Sequence, residues 1–157
     1  MRAVIRDMDL SRAVMNVALP FESAAFEEGK TLLTEIEAHV HCRGDEEMIK
    51  QLVVILLGNA FKYADEHGTI RVGVRQLARA GEITVSNTGR GISRADRERI
   101  FDRFYRADTS HNRDVEGNGL GLSIALSIAE AHKAKITVSG EEGEETVFTV
   151  QISGGKG

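Results

Sequence analysis

The sequence predicts an α+β fold with a largely antiparallel or mixed sheet and its helices on one face. Three observations lead there. Helix-like and strand-like runs mix without strict alternation. Two pairs of strand-like runs lie close enough to form hairpins. A chain of 157 residues, 41% of them hydrophobic, holds one sizeable core but not two. With 28% charged residues and no apolar run near the roughly 18 residues that cross a bilayer, the stretch reads as soluble, without membrane contact. Twenty basic against 24 acidic side chains leave a net charge of −4, which argues against a nucleic-acid surface. Cys42 is the one cysteine, so no internal disulfide forms, and a reducing compartment suits it. Residues 1–153 read as one domain and Gly154 to Gly157 as a frayed tail.

In chain order, Ser11 to about Lys30 reads as a helix. Asp9 or Ser11 caps it, Val14, Val17, Ala18, Phe21, Ala25 and Phe26 form its apolar stripe, Pro20 is a candidate kink, and Gly29 stops it. Thr31 to His41 alternates imperfectly and reads as one half-buried strand. Gly44 and Asp45 end that strand and cap a second, very hydrophobic helix, Glu46 to Tyr63. Thr69 to Gln76 and Glu82 to Ser86 are strands joined by a turn at Ala80-Gly81, and a polar, glycine-bearing stretch follows from Asn87 to Arg94. Asp96 to Arg106 reads as a short helix. Ala107 to Glu116, almost without apolar residues, reads as a loop. Leu120 to His132 is a helix opened by glycines, and Lys135 to Ser139 with Thr146 to Ile152 forms a last hairpin.

The chemistry gathers around glycine. The chain has 16 glycines and one proline, and five of the glycines fall in two tight clusters, which indicates close backbone approach. Gly89 and Gly91 follow directly on the strand Ile83-Thr84-Val85, a pattern that by itself is more often a turn than a site. Gly117, Gly119 and Gly121 open a helix, where free N–H groups make a cradle for phosphate oxygens. Neither a dinucleotide fingerprint nor a P-loop fits the spacing. On the second helix Asn59 and Lys62 stand near the end of an apolar face, where each costs about 1–3 kcal/mol if buried without a partner. Either neighbouring backbone and solvent satisfy them, or a polar ligand meets them.

The order of these pieces resembles the ATP-binding domain of bacterial sensor histidine kinases, within the superfamily that includes gyrase, the Hsp90 chaperones and MutL. Asn59 to Tyr63 resembles the family's N box, Asn87 to Gly91 its first glycine box, Ile100 to Arg106 its F box, and Gly117 to Leu122 its second glycine box. The likeness runs over essentially the whole chain and implies a two-layer α/β sandwich, the Bergerat ATP-binding fold. It implies ATP and Mg²⁺ as cofactors, with Asn59 as the metal ligand. Lys62 would lie against phosphate, Tyr63 near the purine, and Asn87 against the adenine amino group. Gly89, Gly91 and Ile92 would let the base lie flat, and Gly117, Gly119, Leu120, Gly121 and Leu122 would wrap the triphosphate. Residues Ala107 to Glu116 would be a lid, Phe101 and Phe104 its base, and Arg106 or Arg103 a charge toward the γ-phosphate. For Phe101 and Phe104 alone, a plain core position is at least as good a reading as a direct catalytic one.

Two positions depart from the family pattern. Asn87 stands where relatives usually carry Asp. Ile55, one turn before Asn59, stands where they carry Asn, His or Glu, so no carboxylate is there to activate water. The implied activity is therefore transfer to histidine rather than hydrolysis. None of His39, His41, His67, His111 and His132 precedes an acid, so the phosphoacceptor histidine is not in this stretch. The chain reads as a piece of a longer kinase. Its implied partners are the dimerisation and histidine-phosphotransfer domain of that kinase and a response regulator, and its implied location is the cytoplasm, with an inner-membrane sensor as the possible parent. A non-catalytic nucleotide sensor and a serine kinase of the anti-sigma type are the alternatives.

Overall fold

The computed structural model describes residues 2–89, 91–101, 121–140 and 145–154. Helix α1 (Leu10–Glu28) starts at Asp9, whose extended backbone lets its carboxylate accept the Arg12 N–H at 3.0 Å. The helix stops at Gly29, which takes φ 71°, and the next N–H, of Lys30, closes back on Ala25 O at 2.8 Å. Pro20 lies inside this helix. Ser11 is not its cap. The Ser11 hydroxyl donates to Glu37 O and accepts the Val40 N–H at 2.9 Å, tying the helix start to residues 37–40.

The run expected as one strand, Thr31 to His41, is two: β2 (Thr31–Ile36) and β3 (His41–Gly44). Residues 37–40 turn between them, and His39 takes φ 62°. β3 then leaves the main sheet and pairs antiparallel with β1 (Arg6–Asp9), a strand too short and charged for its sequence to announce. Cys42 lies buried in β3, and burial pushes its thiol up to about 12, so it stays a protonated, apolar filler.

Asp45 caps α2 (Glu46–Tyr63) by accepting the Met48 N–H at 3.2 Å. Ile49, Leu52, Val53, Leu56 and Leu57 of α2 are fully buried. The helix is not buried all round, however, since Val54 is 46% exposed on the face that also carries Gly58 and Lys62. The main sheet runs β2, β4 (Thr69–Gln76), β5 (Ala80–Asn87), β7 (Thr146–Ser153), β6 (Lys135–Ser139). β2 is parallel to β4 and the other pairs are antiparallel, so the sheet is mixed and mostly antiparallel. Ile70, Val72 and Val74 of β4, Ile83 and Val85 of β5, and Phe148, Val150 and Ile152 of β7 alternate onto one buried face. Against it pack α1, α2 and α4 (Gly121–Ala131).

The turn between β4 and β5 is at residues 77–79, not at Ala80-Gly81, which belong to β5. Gly81 is required for closeness rather than for turning: a Cβ there would stand 2.8 Å from Leu10 Cδ2 and 3.2 Å from Val40 Cγ1. On the opposite sheet face Glu82 is buried beneath its neighbours, paired with Arg75 at 2.6 Å and accepting from Gln151 at 2.9 Å. The short helix after the first glycine cluster is α3 (Arg94–Arg99), capped by Ser93, so it starts two residues earlier than expected and has ended before Phe101. Gly154, expected in the tail, donates its N–H to Arg79 O at 2.9 Å.

Candidate functional site

The last turn of α2 carries Asn59, half-buried, then Lys62, exposed, and Tyr63, half-buried. Lys62 Nζ stands 5.6 Å from the centroid of the Tyr63 ring, in reach of a cation–π contact. Ala64 N donates to Ala60 O at 3.0 Å, so the helix is hydrogen-bonded through to this end. The segment leaving α2 is then fastened to the end of β5 by Thr88. Thr88 O accepts the Asp65 N–H at 3.0 Å, Thr88 N donates to Thr69 O at 3.0 Å, and Thr88 Oγ1 accepts the Thr69 N–H at 3.0 Å. Three bonds through one residue draw the first glycine cluster against the helix end.

The approach is close enough to exclude any side chain at Gly89. A Cβ there would lie 2.6 Å from Tyr63 O and 3.3 Å from Asn87 Nδ2. Gly68 is packed similarly: a Cβ there would lie 2.8 Å from Asp65 O and 2.7 Å from Thr88 Oγ1. Asn87 is buried at the end of β5, and its Nδ2 donates to Thr88 O at 3.1 Å. That bond assigns the amide: the nitrogen is turned to its own strand exit and Oδ1 is the end presented as acceptor. Gly91 takes φ 78°, a conformation that side chains rarely adopt, and Ile92 follows half-buried.

The third wall is the start of α4. Gly121 opens the helix, and a Cβ there would meet Ile55 Cγ2 of α2 at 3.7 Å, an ordinary contact. Gly121 therefore stands beside the turn of α2 that precedes Asn59, with Leu122 half-buried next to it. The sequence separates these groups by some sixty residues, and the fold puts them side by side. The unsatisfied N–H groups of a helix start carry a partial positive charge, and Lys62 adds a full one at the end of α2.

Phe101 sits half-buried with its ring edge-on to Phe148 of β7, centroids 6.1 Å apart and planes at 79°. It is anchored in the core, which favours the packing reading of this residue. Arg106, Gly117, Gly119 and Leu120, with Arg103, Phe104 and the stretch Ala107 to Glu116, lie outside the described residues.

Two residues at this site were not singled out from sequence. Thr88 is one; an ordinary threonine after a strand carries no signal. Arg97 is the other. In a helix of alternating charge it reads as solvated, and Arg94 indeed pairs loosely with Glu98 at 3.8 Å on the surface. Arg97 instead turns inward, half-buried, and its Nη1 donates to Ile92 O at 2.6 Å and to Gly140 O at 3.0 Å. It thereby joins the exit of the first glycine cluster to the turn after β6.

The chain is similar to known proteins over nearly its whole length. The chain is 37% identical over 146 residues to the "Probable sensor protein PcoS" of Escherichia coli, a match covering 93% of this chain and 31% of that protein. It is 36% identical over 149 residues to the "Sensor histidine kinase YkoH" of Bacillus subtilis (strain 168), covering 95% of this chain and 32% of the relative. The chain thus spans about a third of the length of these relatives. Among solved structures, the catalytic domain of histidine kinase ThkA in a nucleotide-free form superposes with a TM-score of 0.84 at 25% identity, covering 96% of each chain. Among the described residues no helix is long and apolar enough to cross a membrane. The family model for "Histidine kinase-, DNA gyrase B-, and HSP90-like ATPase" matches residues 44–155, from the strand end before α2 through β7, and the chain belongs to that ATPase family.

Proposed function

We propose that this domain binds Mg²⁺-ATP between the end of α2, the end of β5 and the start of α4, and transfers the γ-phosphoryl to a histidine on a separate phosphoacceptor domain. That histidine would in turn phosphorylate a response regulator, in the cytoplasm. The observation that carries the reading is the convergence at Tyr63 and Ile55: Gly89 without a side chain against Tyr63 O, and Gly121 beside Ile55. The first contact draws the end of β5 against the end of α2, so that Asn87 and Tyr63 would flank a base beside it, and at the second phosphate oxygens would meet helix N–H groups.

Asn59 fits a hard cation that keeps most of its ligands elsewhere. Among the described residues no three His, Cys, Asp or Glu side chains gather into a metal cage, and one neutral amide oxygen suits an ion held mainly by nucleotide phosphates and water. When bound, Mg²⁺ would neutralise charge developing on the transferred group. Lys62 and Arg106 would add cationic charge to the phosphates, and Tyr63 would flank the purine. Asn87 Oδ1 would accept from the adenine amino group, with Gly91 and Ile92 beside the base. Gly117, Gly119, Leu120, Gly121 and Leu122 would close over the triphosphate, and Phe101 would anchor the segment that follows it. Ile55 offers no base for water, and none is needed, because a neutral imidazole nitrogen attacks with its own lone pair.

Calorimetric titration with a non-hydrolysable ATP analogue and Mg²⁺ tests the binding. No heat at millimolar nucleotide rejects it. Asn59→Ala should remove the Mg²⁺ dependence, and radiolabelled ATP offered with the isolated phosphoacceptor domain should put label on histidine. Binding without transfer would favour the nucleotide-sensor reading, for which Ile55 and the uncharged Asn87 are the supporting features. Acid-stable label on a partner would favour a serine kinase.

A further inference from the structure

We propose that His132 is a positioning residue for the nucleotide site: its neutral imidazole cross-links the end of α4 to the start of α2 and so fixes the axial position of one helix on the other. The inference rests on the nucleotide reading above, and it concerns a residue to which that reading gives no role.

His132 lies just past α4 and is buried at 7% exposure. Both ring nitrogens are engaged by backbone. Asp45 N–H donates to Nε2 at 2.9 Å, so Nε2 is unprotonated and Nδ1 carries the hydrogen, which it donates to Ile128 O at 2.8 Å. The ring edge packs against Gly44, where a Cβ would come within 3.2 Å of His132 Cδ2 and of Met8 Sδ. Gly44 is thus kept bare to admit the imidazole. Asp45, the other end of the link, is itself fastened: its carboxylate accepts from Val4 N at 2.9 Å and from Met48 N at 3.2 Å.

The consequence is geometric. Two contacts bracket the interface of α2 and α4: Asp45, the cap of α2, with His132, just past α4, and Ile55 with Gly121. Ten residues of helix separate Asp45 from Ile55 and eleven separate Gly121 from His132, lengths of about 15 and 16 Å at 1.5 Å per residue. The helices therefore run antiparallel and in step, with the link at one end and the candidate phosphate cradle at the other. The buried residues of α4 are Ala125, Ile128 and Ala129, all apolar. Such non-directional contacts restrict axial position less strictly than a hydrogen bond does. The directional bond at the far end adds that restriction, as a fully satisfied buried polar group can specify one packing.

His132→Phe keeps a flat ring and loses both bonds. His132→Gln can still present an oxygen to the Asp45 N–H. With the whole chain held well below its melting midpoint, the Phe variant should bind the ATP analogue with Mg²⁺ about tenfold more weakly, and the Gln variant should recover most of that loss. Should the Phe chain not fold, His132→Asn, too short to reach Asp45, replaces it with the same expected weakening. Side-chain nitrogen NMR of the native chain should show a protonated Nδ1 and an unprotonated Nε2. Undiminished binding by a folded Phe or Asn variant, or a protonated Nε2, overturns the proposal. If the native chain itself does not bind nucleotide, the functional reading falls and takes this proposal with it, whereas equal binding by native and variant chains sinks the positioning role alone.

Discussion

Replacing Gly89 by alanine puts the close approach of β5 to α2 to a direct test. A Cβ at that position stands 2.6 Å from the Tyr63 carbonyl oxygen, while carbon and oxygen in non-bonded contact keep about 3.3 Å or more. The strand exit and the helix end must separate by roughly 0.7 Å. Neither is a flexible tip, since Thr88 bonds to Asp65 and Thr69 hold them together. Overpacking of this kind costs about 1–3 kcal/mol. In a domain of this size each kcal/mol lowers the melting temperature by about 2–4 °C, so a fall of about 2–12 °C is expected. The same shift parts Tyr63 from Asn87, and displacements near 1 Å in a site can cost up to about a hundredfold in function. Circular dichroism melting and titration with the ATP analogue read the two effects. Gly58→Ala is the control: the residue is exposed within α2, its Cβ would meet nothing within 4 Å, and helix propensity should make it stabilising by about 0.5–1 kcal/mol. A Gly89→Ala chain that melts and binds like the native one would refute the close approach.

Other outcomes follow from the same geometry. Arg97→Leu leaves the carbonyls of Ile92 and Gly140 without their guanidinium donor, so urea unfolding should show a loss of about 1–3 kcal/mol; a loss within 0.5 kcal/mol, about the scatter of neutral surface changes, would show the clasp to be idle. Gly121→Ala has space against Ile55 at 3.7 Å, so melting should hardly change, and weakened nucleotide binding would then report contact with the ligand itself. Burial raises the Glu82 carboxyl, but hydrogen bonds from Arg75 and Gln151 and the Arg75 charge outweigh it and leave the group below its ordinary 4.5. A lowered folded value means stabilisation that is full above the unfolded value and lost as pH falls through the folded one. Glu82→Gln should therefore flatten the decline in stability below about pH 4.5, and an unaltered acid limb would contradict the pairing.

Much of this protein was legible in its residue pattern. The α2 boundaries, Glu46 to Tyr63, follow from the Asp45 cap and an apolar face, and they agree with the structure residue for residue. Strands β4 and β6 also run as expected, because alternation on a half-buried sheet is a strong signal. The misses share a cause. Thr31 to His41 read as one strand because the turn at residues 37–40 is stabilised from outside, by the Ser11 hydroxyl some thirty residues away. Gly81 read as a turn because glycine usually marks one, whereas here it makes room for Leu10 and Val40. Arg97 and His132 carried no signal, since an arginine in a charged helix and a histidine near a helix end are ordinary until their partners are known.

Sequence alone determined the class of fold and the order of the four motifs whose resemblance pointed to the family, because period, caps and glycine clusters are local properties of the chain. Tertiary structure decided which of those residues meet. That Gly89 lies against Tyr63, that Gly121 stands beside Ile55, and that His132 reaches the cap of α2 are consequences of strand order and helix packing. The physical reason is that such contacts are set by the joint minimum of all burial and backbone hydrogen bonding, and no short stretch of residues contains that information.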